Sequence, residues 1–310
     1  MIRLGNAPVS YGVYGEAAGG EGTSPSQLLA SMAEAGYQGS ELGPPGFFGT
    51  PHETADAFEL HGLAAVGAYA PVHFAEDEAT IEHDLSRIAV TCGELAAVAE
   101  RTGTPGLVVL ADEGDETLLH NPARDPDDPR ERALALDDAG WDRLAHYART
   151  ALRMAEDHGL RTSWHPHIST YVESAWEVDR LLESTDVGLT LDIAHLQLAG
   201  SDPVECWRRW SARINHIHVK DASMEVLRTA KAERRTDFDT WWANVCVPFG
   251  KGDVDIDAFL DAVIADGYDG WLVVEQDREP TPAERYPAVA QEQAHNHQWL
   301  AEVVRRRLLR

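Results

Sequence analysis

The chain has 310 residues and a mass of 34.0 kDa, with 44% hydrophobic and 25% charged side chains, enough apolar material for a large core without staples. Acidic residues outnumber basic ones 52 to 26, for a formal charge of −26 and a pI near 4.8. That charge repels phosphate backbones and anionic lipid, so no nucleic-acid or membrane partner is expected.

No run of about 18 apolar residues is present, and no basic-then-apolar leader is visible. Cys92, Cys206 and Cys246 lie far apart, which speaks against structural disulfides and for a reducing cytoplasm. In chain order, short Val/Ile/Leu-rich runs predict strands at 2–8, 39–43, 64–71, 106–111, 161–167, 188–195, 214–222 and 271–277. Helical spacing fills the intervals, most clearly at Ile81, Leu85, Ile88, Cys92, Leu95 and Ala99, and again at Leu144, Tyr147, Ala148, Ala151, Leu152 and Ala155. Eight strand–helix units predict an α/β fold, a single-domain (β/α)₈ TIM barrel over 1–310. An open doubly wound sheet is the structural alternative, but the glycines at 15–22 lack the GxGxxG spacing it would want. Two stretches exceed ordinary loop length. The acidic, Pro-rich 112–138 reads as a solvated loop, and 223–251, with Trp241, Trp242 and Phe249, as a cover for substrate.

Function is carried by polar residues where strands should be apolar. With period-two alternation, His165 shares a face with His167, and His216 with His218 and Lys220, while Ile217 and Val219 face the helices. Buried unpaired, such groups would each cost a few kcal/mol. A lone His or Asp at a strand end is ordinarily a hydrogen-bonded core residue. Four on consecutive strands, His165, Asp192, His218 and Glu275, instead read as a ligand set. Two imidazoles and two carboxylates suit Mn²⁺, Co²⁺, Zn²⁺ or Fe²⁺ better than Mg²⁺ or Ca²⁺. His167, His195, His216, Lys220 and, from the second strand, Glu41 surround the set and are suited to moving protons beside a carbonyl. No GxSxG or Cys–His arrangement supports covalent catalysis. His52, His61, His146 and His158 read as surface residues.

At these residues the chain resembles the xylose-isomerase-like TIM-barrel superfamily, and within it the inosose dehydratase branch. The likeness runs from Asn6-Ala7-Pro8-Val9-Ser10-Tyr11-Gly12 and Gly36-Tyr37-Gln38-Gly39-Ser40-Glu41-Leu42-Gly43 through Trp164-His165-Pro166-His167-Ile168-Ser169-Thr170 and Asp192-Ile193-Ala194-His195. It continues in His216-Ile217-His218-Val219-Lys220-Asp221-Ala222, Gly250-Lys251-Gly252-Asp253-Val254-Asp255 and Val274-Glu275. Pro166 and Ile168-Ser169 depart from the branch's pattern, and His165 stands where the wider superfamily has Glu.

The resemblance implies a divalent metal, Mn²⁺ or Co²⁺ before Zn²⁺ or Fe²⁺, and loss of water from a cyclic keto-polyol. His165, Asp192, His218 and Glu275 are the expected ligands, with His165 or His167 open as the strand 5 contributor. His167 or His195 is the expected base, with acid help from Lys220. Glu41 is expected in the catalytic pocket, and His216, Trp241 and Trp242 at the substrate. Isomerisation or epimerisation of a keto-sugar, elimination of an aglycone from a 3-keto-sugar, and sugar binding without turnover are the alternatives. A metal-dependent abasic-site endonuclease needs a basic DNA face, which −26 does not provide. A homo-oligomer is left open.

Overall fold

The computed structural model describes residues 1–13, 23–233, 242 and 244–309. The glycine-rich stretch 15–22 and Trp241 lie outside the described residues. Eight parallel strands close into a barrel: β1 (Arg3–Asn6), β2 (Gly39–Leu42), β3 (Ala64–Val72), β4 (Leu107–Asp112), β5 (Arg161–Trp164), β6 (Gly188–Asp192), β7 (Ile214–Val219) and β10 (Trp271–Val274). β8 (Asp221–Ala222) and β9 (Cys246–Val247) form a small antiparallel pair outside the barrel. The expected (β/α)₈ architecture is the observed one. No helix of the described residues is long and apolar enough to cross a membrane.

Helix starts follow local chemistry. Ser24, Thr50, Asp77, Asp137 and Asp202 each accept a hydrogen bond from a first-turn amide, satisfying donors that have no partner within the helix. The two clearest periodic segments form the helices Glu78–Thr102 and Asp138–Glu156. They bury Ile88, Cys92 and Leu95, and Leu144, Tyr147, Ala148 and Ala151, between helix layer and barrel. Ile217 and Val219 join that same outer core, as alternation required.

Inside the barrel the side chains change character with height. The floor is apolar, with Ala64, Val66, Trp271 and Val273 packed together. Gly39 makes room for it, because a Cβ there would lie 2.4 Å from Val66 and 2.9 Å from Trp271. Above, the hydroxyls of Ser163 and Thr190 pair at 2.6 Å. The polar residues come next, at the C-terminal mouth, where βα loops build sites on this architecture.

Four strands end three residues sooner than the sequence suggested. β5 stops at Trp164, β6 at Asp192, β7 at Val219 and β10 at Val274. The polar run continues two or three residues past each regular ladder, so His167, His195 and Asp277 belong to the loops and first turns above the sheet.

The long loops are built rather than open. The stretch 112–138 holds the short helices Glu116–Leu119 and Pro129–Arg132, and its Arg124 is 5% exposed. The described part of 223–251 adds the helix Met224–Glu233. Leu227, Ala230, Val245 and Cys246 pack with Ile168, Ala194 and Leu198 in a second, smaller core over the mouth. Asp221 fixes the Gly250–Val254 turn by accepting the amides of Gly250, Gly252 and Val254. A Cβ at Gly252 would sit 2.1 Å from its carboxylate, so that glycine serves a close approach.

Candidate metal centre and active site

The four expected ligands arrive at one point from β5, β6, β7 and β10. His165 and Glu275 are the first residues after their strands, and each backbone N–H extends the ladder, to Leu110 O at 2.7 Å and to Val219 O at 3.1 Å. His218 stands within β7. Asp192 closes β6 and also caps the helix Ile193–Leu198, its Oδ1 accepting from the amides of Ala194 and His195 at 2.9 Å. That bond holds the carboxylate and leaves Oδ2 aimed elsewhere.

His165 Nε2, Asp192 Oδ2, His218 Nδ1 and Glu275 Oε2 are buried and make no hydrogen bond among the described residues. They belong to residues whose ligand atoms all lie within 4.8 Å of one another. Three separations are 3.6 Å (His165–Asp192), 3.7 Å (His218–Asp192) and 2.8 Å (His218–Glu275). Donor atoms around a cation with bonds near 2.1 Å stand roughly 3.0–3.4 Å apart, so the set fits a divalent ion with small adjustments. Four converging buried atoms with no hydrogen bond among the described residues would otherwise carry a heavy desolvation cost.

Electrostatics agree. Burial disfavours charge on His218, yet Glu275 and Glu41 outweigh it and hold its pKa well above the usual histidine value. Burial likewise opposes the Glu275 carboxylate, but His218 and Lys220 bring it down to about 2. A centre that draws a proton onto a buried imidazole is short of positive charge, which a cation would supply. Lys220, 0% exposed, is the ammonium already there. Its Nζ lies 2.6 Å from Asp277 Oδ2, 3.0 Å from Glu275 Oε2, 3.2 Å from Asp192 Oδ2 and 3.0 Å from His195 Nε2.

His195 and His167 are held neutral. Burial lowers the pKa of both, with His167 and Lys220 adding to the effect at His195, and His165 and Lys220 bringing His167 to about 3. Both ring nitrogens of His195 face donors, the Ile168 amide at 3.3 Å and the Lys220 ammonium, which opposes a second ring proton. His167 Nδ1 lies 2.8 Å from Ile168 O, so Nδ1 carries the proton and Nε2 the lone pair. Trp242 stacks on His195, with centroids 5.2 Å apart and planes 23° apart.

A cavity of about 520 Å³ opens above this cluster, lined by Glu41, Tyr69, Glu113, His167, Trp242 and Asp277 among others; such a volume suits a small-molecule ligand. His216 does not line it. Alternation places that ring on the lumen one layer below His218, where its Nε2 lies 2.6 Å from Glu41 Oε1. Reading the sequence alone did not pick out Asp277, Tyr69 or Glu113. Asp277 carried a signal, because two residues after Glu275 it lies on the same face.

A model of the xylose isomerase-like TIM barrel matches residues 29–303. The chain belongs to the xylose isomerase-like TIM-barrel family. Within it, this chain is 30% identical over 291 residues to an inosose dehydratase of Geobacillus kaustophilus, covering 92% of this chain and 90% of that one. It is 31% identical over 270 residues to the rhizopine catabolism protein MocC of Rhizobium meliloti, covering 83% and 76%. A crystal structure of the IolI protein with a bound zinc atom shares the fold at TM-score 0.66 and 18% identity, covering 97% of this chain and 98% of that one.

Proposed function

We propose that this family member is a divalent-metal-dependent lyase that removes water from a cyclic keto-polyol of the inosose type. The observation that carries the reading is the convergence of four buried donor atoms, from His165, Asp192, His218 and Glu275, that make no hydrogen bond among the described residues and stand beside neutral imidazoles and a buried ammonium. The inosose dehydratase relatives supply the substrate class. The mixed nitrogen and oxygen donors suit Mn²⁺, Co²⁺, Zn²⁺ or Fe²⁺, of which the family resemblance implies Mn²⁺ or Co²⁺, and the bound ion would polarise the substrate ketone and acidify the neighbouring C–H.

The chain's own groups handle the protons. His167 lines the cavity with an unprotonated Nε2 and takes the α-proton. The C–H pair becomes the new double bond as the β C–O bond breaks, and the departing oxygen leaves with a proton as water. Lys220 is the proton reserve, shared with His195, Glu275 and Asp277; Asp277 and Glu275 are the partners that reach the cavity. Trp242 covers the imidazole pair, keeping bulk water from the reacting carbons.

The test is to measure metal content, then follow dione absorbance as Mn²⁺- or Co²⁺-loaded protein meets 2-keto-myo-inositol. Dione appearance that is lost on chelation and restored by metal is the expected result. Asp192→Ala and Glu275→Ala should lose metal and turnover together. Turnover without metal would overturn the metal role. Bound metal with an epimerised ketone and no dione would overturn the dehydratase assignment in favour of an isomerase.

A further inference from the structure

Glu41 reaches from β2 across the lumen to β7, where one oxygen meets two imidazoles. Its Oε1 lies 2.6 Å from His216 Nε2 and 2.9 Å from His218 Nε2. All three side chains are buried, at 3%, 1% and 1% exposure. A neutral imidazole carries one N–H and one lone pair. Facing a carboxylate oxygen at 2.9 Å, Nε2 of His218 is the nitrogen with the proton. Nδ1 faces the ligand set, 2.8 Å from Glu275 Oε2 and 3.7 Å from Asp192 Oδ2, so an ion held there would take the place of any proton on Nδ1 while Nε2 keeps its own.

We infer that Glu41 is a positioning residue that acts on the metal through His218, fixing which ring nitrogen faces the ion and holding the ring in place. A carboxylate behind a ligating histidine sets its tautomer and raises its basicity. His216 donates to the same oxygen and so anchors Glu41, which gives that buried histidine a role beneath the cavity. Glu41, His216 and His218 also form a group with metal-ligand composition. Unlike the ligand atoms above, Glu41 Oε1, His216 Nε2 and His218 Nε2 already satisfy one another at 2.6 and 2.9 Å, both hydrogen-bond distances. Protons, rather than a second metal, join these three.

The inference rests on the metal reading above, and one titration separates the two. Co²⁺ is titrated into chelator-treated wild-type protein, Glu41→Gln and Glu41→Ala, with affinity measured by dye competition, the Co²⁺ visible spectrum recorded, and folding checked by circular dichroism. Wild type should bind one equivalent. Glu41→Ala should bind about 10–100-fold more weakly with a shifted spectrum. Glu41→Gln keeps an acceptor oxygen for His218 and should fall between the two. It also carries the test should the alanine variant fail to fold. Unchanged affinity and spectrum in the folded variants would overturn the role of Glu41. Two equivalents in wild type, one of them lost with Glu41, would replace it with a second metal site. No binding by wild type would overturn the metal reading itself.

Discussion

Asp192 shows how a single residue links fold to chemistry. Its Oδ1 caps the helix Ile193–Leu198 while Oδ2, 3.2 Å from the Lys220 ammonium, makes no hydrogen bond among the described residues and stands among the ligand atoms. His167 makes a similar division, with Nδ1 on Ile168 O and the lone pair left on Nε2, the atom proposed above as the base. From this follows a prediction about pH. A base works in its deprotonated form, and burial with His165 and Lys220 lowers the His167 pKa to about 3, so the imidazole stays competent far below the ordinary histidine midpoint. With metal held saturating, kcat/KM should show no acid limb near pH 6.5, and a limb centred there would contradict the assignment. His167→Gln should lower kcat about 10²- to 10⁴-fold while metal content stays at the wild-type level. Much of this residue set was legible in the sequence, because His165, Asp192, His218 and Glu275 break an apolar strand pattern. Which nitrogen or oxygen does what was not legible, since it depends on partners such as Ile168 O and Glu41 that alternation alone does not reveal.

At the scale of elements, the loop carrying His167 is held from two sides. Asp112, at the end of β4, accepts from the amides of Tyr171 and Val172. Glu173 accepts from Ser169 N at 2.5 Å and from Arg124 N at 2.7 Å. The Arg124 guanidinium lies 2.8 Å from Glu177 Oε1 and 3.8 Å from Glu173 Oε1, with all three side chains at 4% exposure or less. The acidic stretch 112–138 is thus fastened to this loop by Asp112, by backbone amides on Glu173 and by one buried cation. Removing it leaves two carboxylates buried without their counter-ion, a loss of about 3–5 kcal/mol for a pair of this kind. Arg124→Ala should therefore lower the urea midpoint and open 112–138 to protease, with reduced kcat/KM and retained metal. Unchanged protease resistance would show that other contacts hold the loop. This clamp was invisible in the sequence because Arg124 is surrounded by acids of its own stretch while its partners lie 49 and 53 residues further on. Strand ends were misplaced for a related reason. Beyond Trp164, Asp192, Val219 and Val274 the residues still look strand-like in pattern, yet regular pairing has ended and the side chains turn to the site. The eight-unit order itself was legible, since apolar runs separated by helical spacing allow few other closures.

Over the whole molecule the charge governs how the barrel responds to salt. Acidic residues exceed basic ones by two to one, and only Lys220, Lys231 and Lys251 are lysines. Lys220 is buried in the site, so it contributes nothing to the surface field. Many of the arginines already face carboxylates, as Arg101 does with Asp56 and Glu59, and Arg307 with Asp257 and Asp261. The remaining acids repel one another, and compaction brings them closer than they are in the unfolded chain. Screening relieves that repulsion, because the Debye length falls from about 30 Å at 0.01 M salt to about 10 Å at 0.1 M. Exposed ion pairs weaken under the same screening, but each is worth only about 0–1 kcal/mol, against a net charge of −26. Tm at pH 7 should therefore rise between about 0.01 and 0.5 M NaCl. A neutral keto-polyol has no charge for the field to act on, so its KM should stay flat over the same range. A fall in Tm with salt would mean that the arginine–carboxylate pairs, rather than the excess of acids, dominate the surface. A KM that rises steeply with salt would point to a cationic substrate drawn in by the acidic field, and would remove the neutral polyol from consideration.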